Sequence, residues 1–186
     1  MGEGSVERRT LSRDRGRFEL RPYYLGVEED LLRAATESRQ ALSEWMSWMH
    51  PGYSMRDVES WVEIAIAAWD AGSAYEFVIY DLEEERAIGS CGLSNINRID
   101  LVANLGYWVS SSRSGVGAAT AAAKLIWAFG IGTAGLNRLE IVVAVGNAAS
   151  RRVAEKTGAI DEGVQRSRLR VGEVVHDAHM FACLRS

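Results

Sequence analysis

Residues 105 to 120, Leu-Gly-Tyr-Trp-Val-Ser-Ser-Ser-Arg-Ser-Gly-Val-Gly-Ala-Ala-Thr, decide how this chain folds. Residues 101 to 109 (LVANLGYWV) read as a short apolar strand. The chain then turns over serines and two glycines into an Ala-rich helix, from about Gly115 to Phe129. Its stripe Ala118, Ala122, Leu125 and Phe129 predicts one buried face. The first N–H groups of such a helix lack intrahelical partners, and the macrodipole puts partial positive charge beside them. Glycines keep side chains away from those donors. The turn Ser114-Gly115-Val116-Gly117-Ala118-Ala119-Thr120 therefore reads as a cradle for phosphate or diphosphate, with Arg113 as a neighbouring fixed charge. A tight turn with close helix packing is the other reading of the same glycines. The turn lies too late in the chain for a dinucleotide fingerprint, and the Gly-Lys-Ser/Thr of a Walker loop is absent.

Outward from this turn, the pattern alternates in kind. Residues 17 to 23 are strand-like and close at Pro22. Residues 27 to 49 and 54 to 69 have helical spacing, with a break at His50-Pro51-Gly52 and Ser54 as a cap. Strands follow at 75 to 81, 87 to 94 and 101 to 109, joined by connectors short enough for antiparallel pairing. After the Ala-rich helix come a β-branched strand at 138 to 145 and a helix from Asn147 to Thr157 stopped by Gly158. Strands near 159 to 168 and 174 to 184 end the pattern. This predicts an α/β (α+β) domain over 17 to 186, with a mixed sheet of seven strands and helices on its faces. Residues 1 to 16 are polar and aperiodic, and are expected to form a flexible arm.

The 186 residues carry a net charge of −4, which gives no support to bulk nucleic-acid binding. No apolar run spans a bilayer, and the N-terminus lacks a secretion-type stretch, so neither membrane nor export is expected. Cys91 and Cys183 have no metal or redox spacing and are expected as reduced core residues of a cytoplasmic protein that needs no metal. The charge is segregated: residues 28 to 86 hold −10 and residues 87 to 186 hold +4. Such a chain could meet a cationic ligand on one side and an anionic one on the other, although solvated helix faces explain the same pattern.

RFELRP (17–22), AIGSCGLSNI (87–96), LGYWVS (105–110), SGVGAAT (114–120), GLNRLEIVV (135–143), NAASRRVAEKTGA (147–159) and HDAHMFACL (176–184) occur in this order. Together with the Trp-rich helices between the first two, they resemble the GNAT superfamily of acyl-CoA-dependent N-acyltransferases. Within it they are similar to the RimJ/RimL branch of ribosomal-protein N-terminal acetyltransferases. The resemblance covers nearly all of 17 to 184. It implies a mostly antiparallel sheet splayed between its fourth and fifth strands, acetyl-CoA as donor, and homodimers as in many members. It implies that residues 114 to 120 hold the CoA diphosphate, and that the backbone of Gly106, Tyr107, Trp108 and Val109 runs beside the pantetheine. Asn147 would touch the pantetheine and Ser150 would protonate the leaving thiolate. Arg151 and Arg152 follow in a first helical turn that disfavours cations, and read either as partners of a CoA phosphate, Arg152 above all, or as solvated side chains.

Three departures bear on the chemistry. Ser114 stands where the family loop opens with Arg or Gln. The family's acid Tyr aligns with Ala154. Asn104 stands where many members carry the Glu that takes the amine proton, and an amide cannot serve as that base. A catalytic position so altered favours weakly basic amines. An α-amine with a pKa of about 7.8 is about a tenth neutral at pH 7, whereas a lysine near about 10.4 is almost wholly charged. Glu140, Asp177 or His176 could take the proton through water. Trp45, Trp48 and His176 are candidate walls of the acceptor site, and Trp61 and Trp69 are expected in the core. The function expected is acetyl transfer to a primary amine, either a protein N-terminal α-amine or a small molecule, by direct attack in a ternary complex. A non-catalytic acyl-CoA-binding module is the alternative.

Overall fold

The computed structural model of the chain describes residues 6–12 and 16–185. Eight strands build one sheet: β1 (Leu11–Ser12), β2 (Phe18–Pro22), β3 (Tyr75–Asp81), β4 (Arg86–Asn97), β5 (Val102–Val109), β6 (Arg138–Ala144), β7 (Ile160–Val171) and β8 (Val174–Leu184). Their order is β1-β2-β3-β4-β5-β6-β8-β7, and among the described residues only the β5–β6 pair is parallel. The helices are α1 (Glu28–Glu37), α2 (Arg39–Ser43), α3 (Met55–Asp70), α4 (Ala118–Gly132) and α5 (Ala148–Thr157).

Alternation along the strands sorts side chains into two cores. On β3, Tyr75, Phe77 and Ile79 point to the α4 side and pack with Leu93, Leu105 and Phe129. Val78, between them, joins Val27 and Leu31 near α1 and Val58 and Val62 of α3 on the opposite side. Helices therefore cover both faces, and the sheet is their shared wall. Cys91 and Cys183 are free and buried, as the sequence led us to expect.

The sheet has one strand more than the seven read from the sequence, the two-residue β1. It lies in the stretch expected as a flexible arm. Residues 6 to 12 of that stretch lie on the domain: Leu11 pairs with Leu20, and the Val6 carbonyl accepts the Trp69 indole N–H at 3.0 Å. The remainder of residues 1 to 16, apart from Gly16, lies outside the described residues.

Two helices differ from expectation for local reasons. The helix read over 27 to 49 is broken at Ser38, whose hydroxyl turns back to the Ala34 carbonyl (2.8 Å) and accepts the Ser111 N–H (2.7 Å). Helix α4 begins three residues later than read, because Gly115 and Gly117 both adopt left-handed φ, +82° and +88°. Ser54 caps α3 as read, with its N–H and hydroxyl both donating to Asp57 Oδ2 at 2.8 Å.

Strands β4 and β5 come very close at Gly89. A Cβ there would lie 2.2 Å from the Trp108 carbonyl oxygen and 2.8 Å from Val109 Cα. This contact sets the lie of β5, the strand that borders the site.

Candidate active site

Strand β5 pairs with β6 only from Val102 to Asn104, against Arg138 to Glu140. Beyond that point each strand follows another neighbour. Residues 105 to 109 stay paired with β4, while Ile141 to Ala144 stay paired with β8. The end of β5 is tied down as well: Ser110 N–H donates to the Ile88 carbonyl at 2.8 Å, and the Ser110 and Ser112 hydroxyls reach Glu37 at 3.0 and 3.2 Å. These bonds, with one from Arg33, hold the Glu37 carboxyl below its ordinary pKa although burial alone would raise it. The two strands are thus splayed, and their facing backbone edges are open to a ligand.

At the mouth of this gap lies the glycine turn. Among the described residues, the N–H groups of residues 115 to 120 have no backbone acceptor, and the first to find one is Ala121, on Gly117 at 2.9 Å. Ser114, Gly115, Val116 and Gly117 are exposed, and a Cβ at either glycine would meet nothing within 4 Å. Unpaired donors, the positive end of α4 and open space fit an anionic diphosphate. Arg113 is not free to join them, since its guanidinium pairs with Glu84. Arg152 is exposed and has no acidic partner among the described residues.

Asn147 caps α5 by accepting the Ser150 N–H at 3.0 Å. Ser150 faces back across the splay. Tyr107 Oη donates to the Ser150 carbonyl (3.0 Å) and lies 3.1 Å from the Ser150 hydroxyl. Burial raises the Tyr107 pKa to about 12, so this phenol is a neutral donor. Tyr107, Asn147 and Ser150 are therefore one hydrogen-bonded group that joins β5 to the start of α5.

A cavity of about 520 Å³ opens on the other side of β5, between that strand, β3, β4 and α3. Gly106, Tyr107 and Trp108 form one wall, and Trp48, Tyr53 and Trp61 form another. Trp48 packs against Trp108 with the rings tilted at 54° and their centres 5.6 Å apart. Trp61 is thus not a core residue as expected. It is 43% exposed whereas Trp69 is 5% exposed. Eight residues on a helix leave a rotation of about 80°, enough to carry one ring out of the core. Its indole N–H donates to Tyr23 Oη (3.2 Å), which donates to the Ser90 hydroxyl (2.9 Å).

One carboxyl in this cavity escaped the sequence reading. Glu76 sits on β3 directly opposite Gly92 of β4. A Cβ on Gly92 would lie 2.0 Å from the carboxylate, so the missing side chain is what makes room for it. Glu76 makes no hydrogen bond or ion pair among the described residues, and burial lifts its pKa to about 7. Asp57, at the same cavity, is held below its ordinary value chiefly by the Ser54 hydroxyl and N–H. The signal in the sequence was an acid within a strongly apolar strand. Its meaning required the register with Gly92.

The residues expected to replace the missing base lie elsewhere. Asn104 and Glu140 line a smaller cavity of about 240 Å³ with Arg168, and Glu140 accepts from Arg138 at 2.9 Å. Asp177 accepts the Ser167 N–H at 2.8 Å. His176 packs against Trp45, ring centres 6.0 Å apart, and Trp45 also abuts Gly146 ahead of α5. Of the expected acceptor walls, Trp48 lines the large cavity, and Trp45 and His176 lie together outside it.

Comparison with known proteins agrees with this arrangement. Residues 17–160 match the profile of the acetyltransferase (GNAT) domain. YdaF of Bacillus subtilis, which carries the name of a ribosomal N-acetyltransferase, is 28% identical over 84% of this chain and 85% of its own. The ribosomal-protein-serine acetyltransferase of Escherichia coli is 24% identical over 82% and 84%. The structure of Mycobacterium smegmatis RimJ in complex with CoA-disulfide superposes with a TM-score of 0.83, at 26% identity, over 95% of this chain and 88% of that one.

Proposed function

This chain belongs to the GNAT acetyltransferase family, and from that premise we propose that it acetylates the α-amine of a peptide N-terminus, or a small amine of similar basicity, in a cytoplasmic setting. Acetyl-CoA is the donor, and when bound it supplies an acetyl group already activated as a thioester. The observation that carries the reading is the splay of β5 from β6, with unpaired amides at the α4 N-terminus beside it. The ribosomal names of its relatives support a peptide acceptor.

In this reading the amides of residues 115 to 120 hold the diphosphate, and Arg152 meets a further phosphate. Backbone amides of Gly106 to Val109 polarise the acyl carbonyl, worth about 100-fold or more for a well-aimed donor. Ser150, held by Tyr107 and by the Asn147 cap, delivers a proton to the departing sulfur. Asn104 has no proton-accepting role here. The rest of the rate gain is positional, from holding two reactants in one cleft.

Release of free thiol from acetyl-CoA, measured over a panel of peptides and small amines, tests the proposal. Turnover on at least one α-amine is expected. Tight CoA binding without turnover on any amine would instead identify a binding module. Ser150→Ala is expected to lower kcat at least about tenfold with little change in KM for acetyl-CoA, and an unchanged kcat would remove Ser150 from the mechanism. Gly117→Val should weaken acetyl-CoA binding by calorimetry at least about tenfold, or about 1.4 kcal/mol. A β-branched residue at φ +88° both strains the cap and covers the amides.

A further inference from the structure

We infer that the aromatic cavity receives an amine carried on an apolar or flat ring body, and that Glu76 is the carboxylate that meets its nitrogen and takes its proton. This rests on the reading of the chain as an N-acetyltransferase with β5 beside the donor.

Three independent features converge on one place. The cavity shares Gly106, Tyr107 and Trp108 with the splayed strand, so a molecule inside it touches the strand along which acyl transfer is proposed. Its walls are Trp48, Tyr53, Trp61 and Trp108, whose faces attract both flat apolar groups and cations. Also lining it is Glu76, an acid with no partner among the described residues, in a space left by Gly92. A half-buried carboxylate that lines an aromatic cavity and has no partner among the described residues favours a cation, and the walls specify what that cation is attached to.

Several titratable groups line the cavity with Glu76. Tyr23, Tyr53, Cys91 and Tyr107 are neutral near pH 7, because burial raises all four. Asp57 and His50 lie at the α3 side of the cavity, bonded to each other at 3.3 Å. No cation among the described residues neutralises Glu76, and its pKa near 7 reflects burial alone. An acceptor of pKa about 7 is well matched to an α-amine of about 7.8, where the proton moves uphill by about sixfold. From a lysine of about 10.4 the same step is uphill by about 2,500-fold. The structure thus supplies from β3 the base that Asn104 on β5 withholds.

The proton balance is simple. An incoming ammonium gives one proton to the Glu76 carboxylate, and that proton later leaves to solvent. The nitrogen lone pair forms the bond to the acyl carbon as the carbon–sulfur bond breaks. The sulfur keeps that electron pair and gains the second proton lost by nitrogen. The sum is an amide, a thiol and one proton released.

The test uses the full chain and its Glu76→Gln variant with CoA present at pH 8, reading the fluorescence of the cavity tryptophans. The probes are 2-phenylethylamine, a tetrapeptide beginning with Phe, butylamine, and 2-phenylethanol as the uncharged control. Both ring-bearing amines should bind the native protein at least about tenfold more tightly than butylamine. Glu76→Gln should weaken them at least about tenfold and leave 2-phenylethanol and CoA unchanged. In turnover, Glu76→Gln should lower kcat about 100-fold. A tenfold preference for the tetrapeptide identifies a peptide end as the source, and the reverse preference a small molecule. Equal amine binding by the native protein and the Glu76→Gln variant, or no preference for a ring, overturns the inference. An unchanged kcat overturns the proton role. If the native protein binds amines in this Glu76-dependent way yet transfers nothing, the acetyltransferase reading fails and the amine site stands.

Discussion

Gly89→Ala is expected to lower Tm by about 6–12 °C and to abolish most activity. The added methyl would stand 2.2 Å from a carbonyl oxygen and 2.8 Å from a Cα, both on β5. Those atoms belong to the backbone and cannot rotate away, so strand β5 must move or the ladder must open. Overpacking of this kind costs about 3 kcal/mol at the upper end of its range, and each kcal/mol is worth about 2–4 °C in a domain of this size. Movement of β5 also displaces Gly106 to Val109 relative to β6, and small misplacements of aligned groups cost rate steeply. Scanning calorimetry and thiol release on one preparation check both parts. A variant melting within about 2 °C of the native protein would mean that β4 and β5 are less tightly apposed than described.

Glu76→Gln is expected to stabilise the protein, and more so as pH rises. The Glu76 carboxyl has a pKa of about 7 in the folded state, raised by burial; unfolded, it returns to about 4.3. The native state therefore holds this proton more tightly than the unfolded state. Its contribution to stability is complete below about pH 4.3 and is lost as pH climbs through about 7. By pH 8 the loss amounts to about 3–4 kcal/mol. Glutamine does not ionise and escapes that loss. Chemical denaturation of both proteins at pH 5 and pH 8 should show a gap in favour of the variant that widens with pH. A gap that stays constant, or a native protein that is the more stable at pH 8, would show that the carboxylate is better solvated than its surroundings imply. A substitution that strengthens the fold while removing activity is what an acid retained for chemistry predicts.

Much of this molecule is legible without coordinates, for local reasons. Strand β3 falls where the apolar run YEFVIYD places it, and Gly158 ends α5 in a left-handed cap as its position suggests. The glycine turn pointed to unpaired amides because the first turn of any helix leaves its N–H groups without partners and glycines do not cover them, although the sequence alone left a tight packing turn as the other reading. The features that were not legible depend on which segment lies beside which. Arg113 reads as a free charge until Glu84, in the turn between β3 and β4, is seen to hold it. Trp61 reads as core until the angle between it and Trp69 is set against a sheet on one side and a cavity on the other. Glu76 has meaning only through Gly92, sixteen residues on, and their pairing is a matter of strand register. Ser150 and Tyr107 are forty-three residues apart and meet only because β5 and β6 part company.

The short pairing of β5 with β6 has a consequence for how the protein behaves between turnovers. A sheet interrupted at its middle presents raw amide and carbonyl edges, the kind of surface to which stray extended chains adhere. In the proposed reading, the arm of the donor fills that seam like a removable strand. Ample acetyl-CoA would then guard the enzyme in two ways at once, by mass action on folding and by masking an adhesive edge. A cell starved of donor would carry a stickier and shorter-lived protein.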